Sequence, residues 1–274
     1  MKTLQNHTII YDEQCPLCNA YTGHFIRFGM LDQNGRTPFN EQSTTQFPAV
    51  NWERAKTEIA LVDRVHERVY YGVDSLVKII GNRFPALLWF MKYAVIRWII
   101  QKIYFFVSYN RKVIAPGKVF EEEHLCAPPM NYTYRWLYIA FAWLITSVVL
   151  TSYAALLHPI VPTTAFGREF LICGGQILFQ GLIVFSIRPQ RLIHYLGNMM
   201  TVSLIGALLL LPALLMGLFY QSVIFFLVYF FSVVAWMFYE HGKRVKTLGI
   251  ASLVSFTWML YRLLIVGWIF LTSK

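Results

Sequence analysis

The sequence predicts two parts in series: an α/β domain, then an all-α transmembrane bundle of about five helices. Composition is the first observation behind this. The chain has 274 residues, 57% of them hydrophobic and only 14% charged. These are unevenly spread: up to Arg135 charge and apolar residues mix, and beyond it long apolar runs dominate. The second observation is that short β-rich runs alternate with helical spacing before about residue 83. The third is a series of apolar runs after residue 135, each near the ~20 residues a bilayer requires.

The first domain reads as follows. Thr8–Tyr11 is β-branched and aromatic, a strand. Cys15 and Cys18 follow at C-x-x-C spacing, with Pro16 suited to the first turn of a helix, where its missing N–H costs nothing. That helix is expected to run to about Met30 and to stop at Asp32-Gln33-Asn34-Gly35. Thr37–Phe39 is a short strand weakened by Pro38, residues 41–51 are a loop, and Trp52–Lys56 is a short helix. Glu58–Asp63 and Arg68–Tyr71 form a hairpin about a polar turn at Arg64–Glu67. Val73–Ile80 has helical spacing, with Asp74 or Ser75 near its start and Gly81 past its end. Residues 1–83 are thus a redox core of thioredoxin-like order, with a strand and a tight turn leading into C-x-x-C at a helix start.

Residues 84–135 form a helical extension. Lys92, Arg97 and Lys102 fall at five-residue steps, ~140° apart on a helix, so they share no single face. Spanning would bury at least one of them, at roughly 2.5–3.5 kcal/mol. One or two helices covering the domain or lying at the membrane surface are expected instead.

The dithiol carries the chemistry. A helix N-terminus presents unpaired N–H groups and the positive end of the helix dipole, so Cys15 should ionise toward pH ~7 and act as the nucleophile. Cys18, one turn in, resolves the mixed disulfide. Asp12 lies three residues before Cys15. It assists deprotonation of Cys18, orders the loop through its N–H groups, or is a turn-forming Asp at a strand end. C-x-x-C is also half of a zinc site, with His24, His66, His124 and Cys126 as possible further ligands, but no second ligand pair has the usual spacing. Cys126 otherwise reads as a buried packing residue.

Asp12-x-x-Cys15-x-x-Cys18 resembles the signature of the DCC thiol-disulfide oxidoreductase family. Tyr71-Gly72-Val73-Asp74-Ser75-Leu76 is similar to its glycine-plus-helix segment. Tyr104 with Tyr109-Asn110-Arg111 is similar to its Tyr…Asn-Arg close, and Cys126 sits near a late cysteine of many members. The resemblance covers about residues 7–126. It implies a thioredoxin-like, redox-active domain, and some members are fused to membrane segments. Thioredoxins carry a cis-proline before the third strand, and the corresponding Thr57-Glu58 has none.

The spans are expected near 136–157, 170–187, 193–218, 221–239 and 250–271, with Pro212 kinking the third. Net charge is +10; residues 1–135 hold 16 Lys/Arg against 12 Asp/Glu (+4), the rest 8 against 2 (+6). Arg188, Arg191, Lys243, Arg244 and Lys246 all fall between spans on the side of the first domain, which places that domain in the cytoplasm and the C-terminus outside. MKTLQNHTII lacks the apolar core of about 7–15 residues of a secretory signal. Cys173 beside Gly174-Gly175 reads as helix packing, Gln176 and Gln180 as bonded inside the bundle, and Arg262 as an intramembrane charge seeking a polar partner, a lipid headgroup or a quinone.

The expectation is an integral protein of a bacterial inner membrane, a cytoplasm-facing protein-disulfide reductase. It has no bound cofactor beyond the Cys15–Cys18 disulfide. Its partners are a disulfide-containing protein or small-thiol substrate, a thiol electron donor and the lipid bilayer. Nucleic acid is not among them, since the basic residues sit between apolar runs rather than on one face with interleaved aromatics. Two other readings remain: a non-enzymatic membrane protein with a metal-binding or interaction module, and electron transfer from the dithiol across the membrane.

Overall fold

His7–Tyr11 forms strand β1, and helix α1 (Pro16–Arg27) follows at once with Pro16 in its first turn. The chain then builds β2 (Arg36–Pro38), the short helices α2 (Glu41–Gln46) and α3 (Trp52–Ala55), the hairpin β3 (Ala60–Asp63) and β4 (Arg68–Tyr71), and α4 (Val73–Arg83). The sheet order is β2-β1-β3-β4. β1 pairs parallel with β2, while β3 is antiparallel to β1 and β4. A parallel β-α-β crossover beside an antiparallel hairpin is the mixed α/β sheet expected. This computed structural model describes residues 3–117, 126, 128–158, 160–162 and 166–272.

Both sheet faces are covered. One apolar cluster centres on Ile9, Phe25, Leu61 and Ile79, and the other on Ile10, Phe47, Val50 and Val62. Neighbours in β1 and β3 alternate between the clusters because successive strand side chains point to opposite faces.

Several boundaries differ from the sequence reading. α1 stops at Arg27, before Met30, because Gly29 takes φ +61. Met30 N–H then bonds to Phe25 O (2.8 Å) and Gly29 N–H to Ile26 O (2.9 Å), a Schellman closure. Within 41–51, read as loop, α2 forms on a capping box: Asn40 accepts from Ser43 N–H (2.9 Å) and Ser43 Oγ accepts from Asn40 N–H (3.0 Å). EQSTTQ has no apolar stripe, so periodicity could not find it. α4 runs through Gly81 and stops at Phe84, whose successor Pro85 disfavours helical geometry before it.

After α4 come α5 (Pro85–Phe90) and α6 (Ala94–Ile114), which belong to the first of two units, Met1–Tyr134. The second unit, Arg135–Lys274, is all helical: α7 (Tyr132–Leu156, entering it at Arg135), α8 (Phe166–Ile187), α9 (Leu192–Met216), α10 (Val223–Thr247) and α11 (Leu253–Thr272). Four of these stretches are long and apolar enough to cross a membrane: Tyr132–Leu156, Gly167–Ile187, Pro189–Met216 and Val223–Thr247. Leu253–Ile269 is a shorter apolar segment.

α10 extends beyond the expected 221–239, so Lys243, Arg244 and Lys246 lie on its last turns rather than in a loop. Arg244 is buried, donating to Glu240 (2.9 Å) and Asn198 (3.1 Å). Gly174 and Gly175 do permit close packing. A Cβ on them would sit 2.6 Å from Trp143 and 2.3 Å from the Tyr261 hydroxyl. Gln180 donates to Thr257 (3.2 Å) and accepts from Tyr195 (2.8 Å), whose hydroxyl also meets His241 (3.1 Å). The Arg262 guanidinium stacks over Trp258, 4.0 Å from the ring centre.

Candidate functional site

Cys15 is the N-cap of α1, and its sulfur accepts from the Cys18 N–H at 3.5 Å. β1 ends at Tyr11 and a turn returns the Cys15 N–H to Asp12 O (3.2 Å), so the strand end sets the thiol on the helix start. Both cysteines are free thiols and buried, 4% and 5% exposed. Thr22, one turn along, donates to Cys18 O (2.7 Å).

The two thiols are electrostatically unequal. The bond from the Cys18 thiol holds Cys15 down at about 7; burial opposes this, while the Cys18 N–H and the Arg111 guanidinium reinforce it. The same bond, together with burial, pushes Cys18 far above the ordinary thiol range. A thiolate beside a held proton is the state from which disulfide attack begins.

Asp12 sits against this pair. Its Oδ1 accepts from Gln14 N–H (3.1 Å), ordering the turn, and its Oδ2 faces Arg111 at 3.3 Å. That ion pair is buried, with both side chains under a tenth exposed. Asp12 thus bonds a backbone N–H of its own turn and also makes an ion pair that no local pattern predicts.

Arg111 is the residue that motif reasoning left without a role. Its Nη2 reaches Asp12, Lys56 O (3.3 Å), Cys126 O (2.7 Å) and Cys126 Sγ (3.6 Å). Burial works against its charge, but the thiols and Asp12 more than offset that and raise its pKa. Cys126 is buried beside it, and burial lifts its thiol to about 11. Cys126 is thus a buried thiol in contact with Arg111. Glu121–His124 lie outside the described residues.

α6 also holds the loop facing the dithiol. Tyr104, Ser108 and Arg111 are spaced four and three residues apart, so they share one face of the helix. Tyr104 accepts from Ile59 N–H (2.8 Å), Ser108 donates to Thr57 O and Arg111 donates to Lys56 O. These three side chains fix the segment where no proline stands. Ile59 N–H is committed to Tyr104, which is why β3 begins at Ala60 rather than Glu58. Gly72, at φ +56, makes room here. A Cβ would lie 2.6 Å from Glu58 Oε2 and 3.3 Å from Tyr104.

Behind Cys18 lies a cavity of about 610 Å³, walled by apolar side chains of α1, α4, α5 and α6, with Asp12, Cys18, Arg111 and Cys126 among its lining. The other candidates do not gather here. His24 bonds to Ala20 O (2.6 Å), His66 to Asp63 (2.9 Å), and Cys173 lies in α8 of the second unit. Among the described residues no three His, Cys, Asp or Glu side chains cluster as a metal ion would need.

Comparison with known proteins bears on this unit. Residues 9–115 match the family model described as DCC1-like thiol-disulfide oxidoreductase. The curated proteins and the solved structures contain no match. The match spans β1 through α6, with the dithiol, Asp12 and Arg111 all inside it. Residues 9–115 are therefore similar to the DCC1-like thiol-disulfide oxidoreductases, and four long apolar helices follow them.

Proposed function

We propose that this protein is a membrane-anchored thiol-disulfide oxidoreductase whose Cys15–Cys18 dithiol reduces disulfides on the cytoplasmic side. The observation that carries it is the placement of Cys15 as N-cap of α1, its sulfur accepting from the Cys18 N–H at 3.5 Å, an arrangement that holds Cys15 down and Cys18 up. The Cys15 thiolate attacks one sulfur of a disulfide RSSR, forming a mixed disulfide and releasing one RS⁻. Cys18 then gives its proton to the released RS⁻ and attacks Cys15 Sγ. The Cys15–Cys18 bond forms, the second RS⁻ leaves, and the site is left oxidised. A thiol donor returns it to the dithiol. Asp12 and Arg111 hold the reacting loop, and Arg111 also favours the thiolate. Because both cysteines are almost fully buried, the 12–15 loop must open for a protein disulfide to enter.

The cytoplasmic assignment rests on basic residues at the ends of the apolar helices: Arg188 and Arg191 after α8, and Lys243, Arg244 and Lys246 on the last turns of α10, share the side expected for the first domain. In that compartment a dithiol is kept reduced and acts as a reductant. The decisive experiment is a trap. Cys18→Ser should accumulate a mixed disulfide on Cys15, resolved by non-reducing electrophoresis and mass spectrometry, and Cys15→Ser should accumulate none. A Cys18→Ser variant that holds no partner and reacts with no small disulfide would refute the proposal.

A further inference from the structure

Natural interiors contain few voids larger than a water molecule. A space of about 610 Å³ beside the dithiol is far above that and within the ~300–1,000 Å³ of small-molecule sites. Its walls are apolar: Val77, Ile100, Ile103 and Val107 among them. Water gains little in such a space, so an apolar occupant is favoured.

The polar members of the lining adjoin one another, since Arg111 contacts both Asp12 and Cys126. Among the described residues, Arg111 Nε is buried without a hydrogen-bond partner. It asks for an acceptor, and its charge is already countered by Asp12, so a neutral oxygen suits it better than a second carboxylate. Cys18, and not Cys15, lines the space.

The far wall reaches the surface. Ile103 lines the cavity and is 57% exposed. Around it the outer face of α5 and α6 presents Trp89, Phe90, Tyr93, Val95, Trp98 and Ile99, all exposed, with Lys92 and Lys102 between them. Aromatic and aliphatic side chains mixed with lysine are the chemistry of a face that lies in a lipid headgroup layer. A molecule dissolved in lipid would meet the cavity on that side, whereas the dithiol is nearly closed to bulk water.

We propose that the cavity behind Cys18 binds a lipid-soluble quinone, with a carbonyl oxygen on Arg111 and its apolar tail toward Ile103, and that the dithiol reduces it. This rests on the redox activity proposed above and names a second electron acceptor for the same site. The Cys15 thiolate and the Cys18 thiol give up two electrons to the quinone and the Cys15–Cys18 bond forms. The Cys18 proton and one proton from water end on the quinone oxygens, giving the quinol. The thiol donor that restores the dithiol is unchanged.

The test uses the full chain in detergent, reduced and freed of reductant. Two reactions are followed: thiol exchange with 5,5′-dithiobis(2-nitrobenzoate), and oxidation by decylubiquinone, whose ring is fully substituted and does not alkylate thiols. Val77→Trp and Val107→Trp each fill the cavity from a different helix. The expected result is quinone oxidation of the wild type, slowed at least ~10-fold in either variant, with disulfide exchange within ~2-fold of wild type. Exchange with the disulfide but no oxidation by the quinone would overturn this inference and leave the thiol-disulfide reading standing. So would quinone oxidation at wild-type rate in both filled variants. Loss of both reactions in the wild type would sink the underlying reading as well.

Discussion

At the scale of single residues, the site depends on one thiol stabilising the other. The largest influence lowering Cys15 is the bond from Cys18, ahead of Arg111. Alkylation of Cys15 by iodoacetamide should therefore rise through a midpoint near pH 7 and fall about tenfold for each pH unit below it, because only the thiolate reacts. In Cys18→Ala that midpoint should move up toward ~8.5, the value of a free thiol. An unchanged midpoint would mean that the Cys15–Cys18 bond is not what tunes the nucleophile. Arg111 acts differently. Arg111→Met leaves Asp12 buried without its cation, at a cost of roughly 3–5 kcal/mol. Its signature should be a lower thermal unfolding midpoint with only a modest upward move of Cys15, since Arg111 ranks behind Cys18 among the causes. A large move of Cys15 with intact stability would reverse that assignment.

At the scale of elements, α6 holds the loop before β3, where no proline stands. The Tyr104–Ser108–Arg111 face grips residues 56–59 at three successive points, and Gly72 gives it space. Gly72→Ala forces a side chain into a left-handed conformation and against Glu58. It should cost on the order of 1–3 kcal/mol and lower the unfolding midpoint of the solubilised protein. Gly167→Ala in α8 is the matched control: a Cβ there meets nothing within 4 Å, and it should be neutral. Equal effects at the two positions would remove the argument for Gly72. Elements whose signal is local were legible in the sequence. β1, the hairpin and α1 announce themselves by β-branched runs, a polar turn and Pro16. α2 did not, because capping alone holds it, and the end of α1 was misplaced because Gly29 stops it before the more conspicuous Asp32–Gly35 run.

At the scale of the whole molecule, the apolar helices explain why 57% of the chain is hydrophobic, and their exposed leucines suit a lipid surround. Orientation decides the redox compartment. Phe219, 91% exposed between α9 and α10, should face outside; Arg188, exposed after α8, should face the cytoplasm. With the native cysteines replaced by serine, an impermeant maleimide applied to intact cells should label Phe219→Cys and spare Arg188→Cys until the cells are opened. The opposite pattern would place the dithiol in an oxidising compartment and reverse its direction of use.

What the sequence by itself determined is what short spacing can encode. Two cysteines three positions apart with Pro16 between them sit at a helix start, because the first turn of a helix spans that distance. Apolar runs of bilayer length read as membrane helices because every backbone polar group in lipid must be satisfied within the segment. Tertiary structure alone decided the partners. Arg111 reaches Asp12 across 99 positions and Lys56 across 55, and the cavity is bounded by four helices from separate parts of the chain. No periodicity links such residues. They meet only because burying the inner face of α6 against the sheet domain brings one guanidinium down onto the turn that carries the thiols.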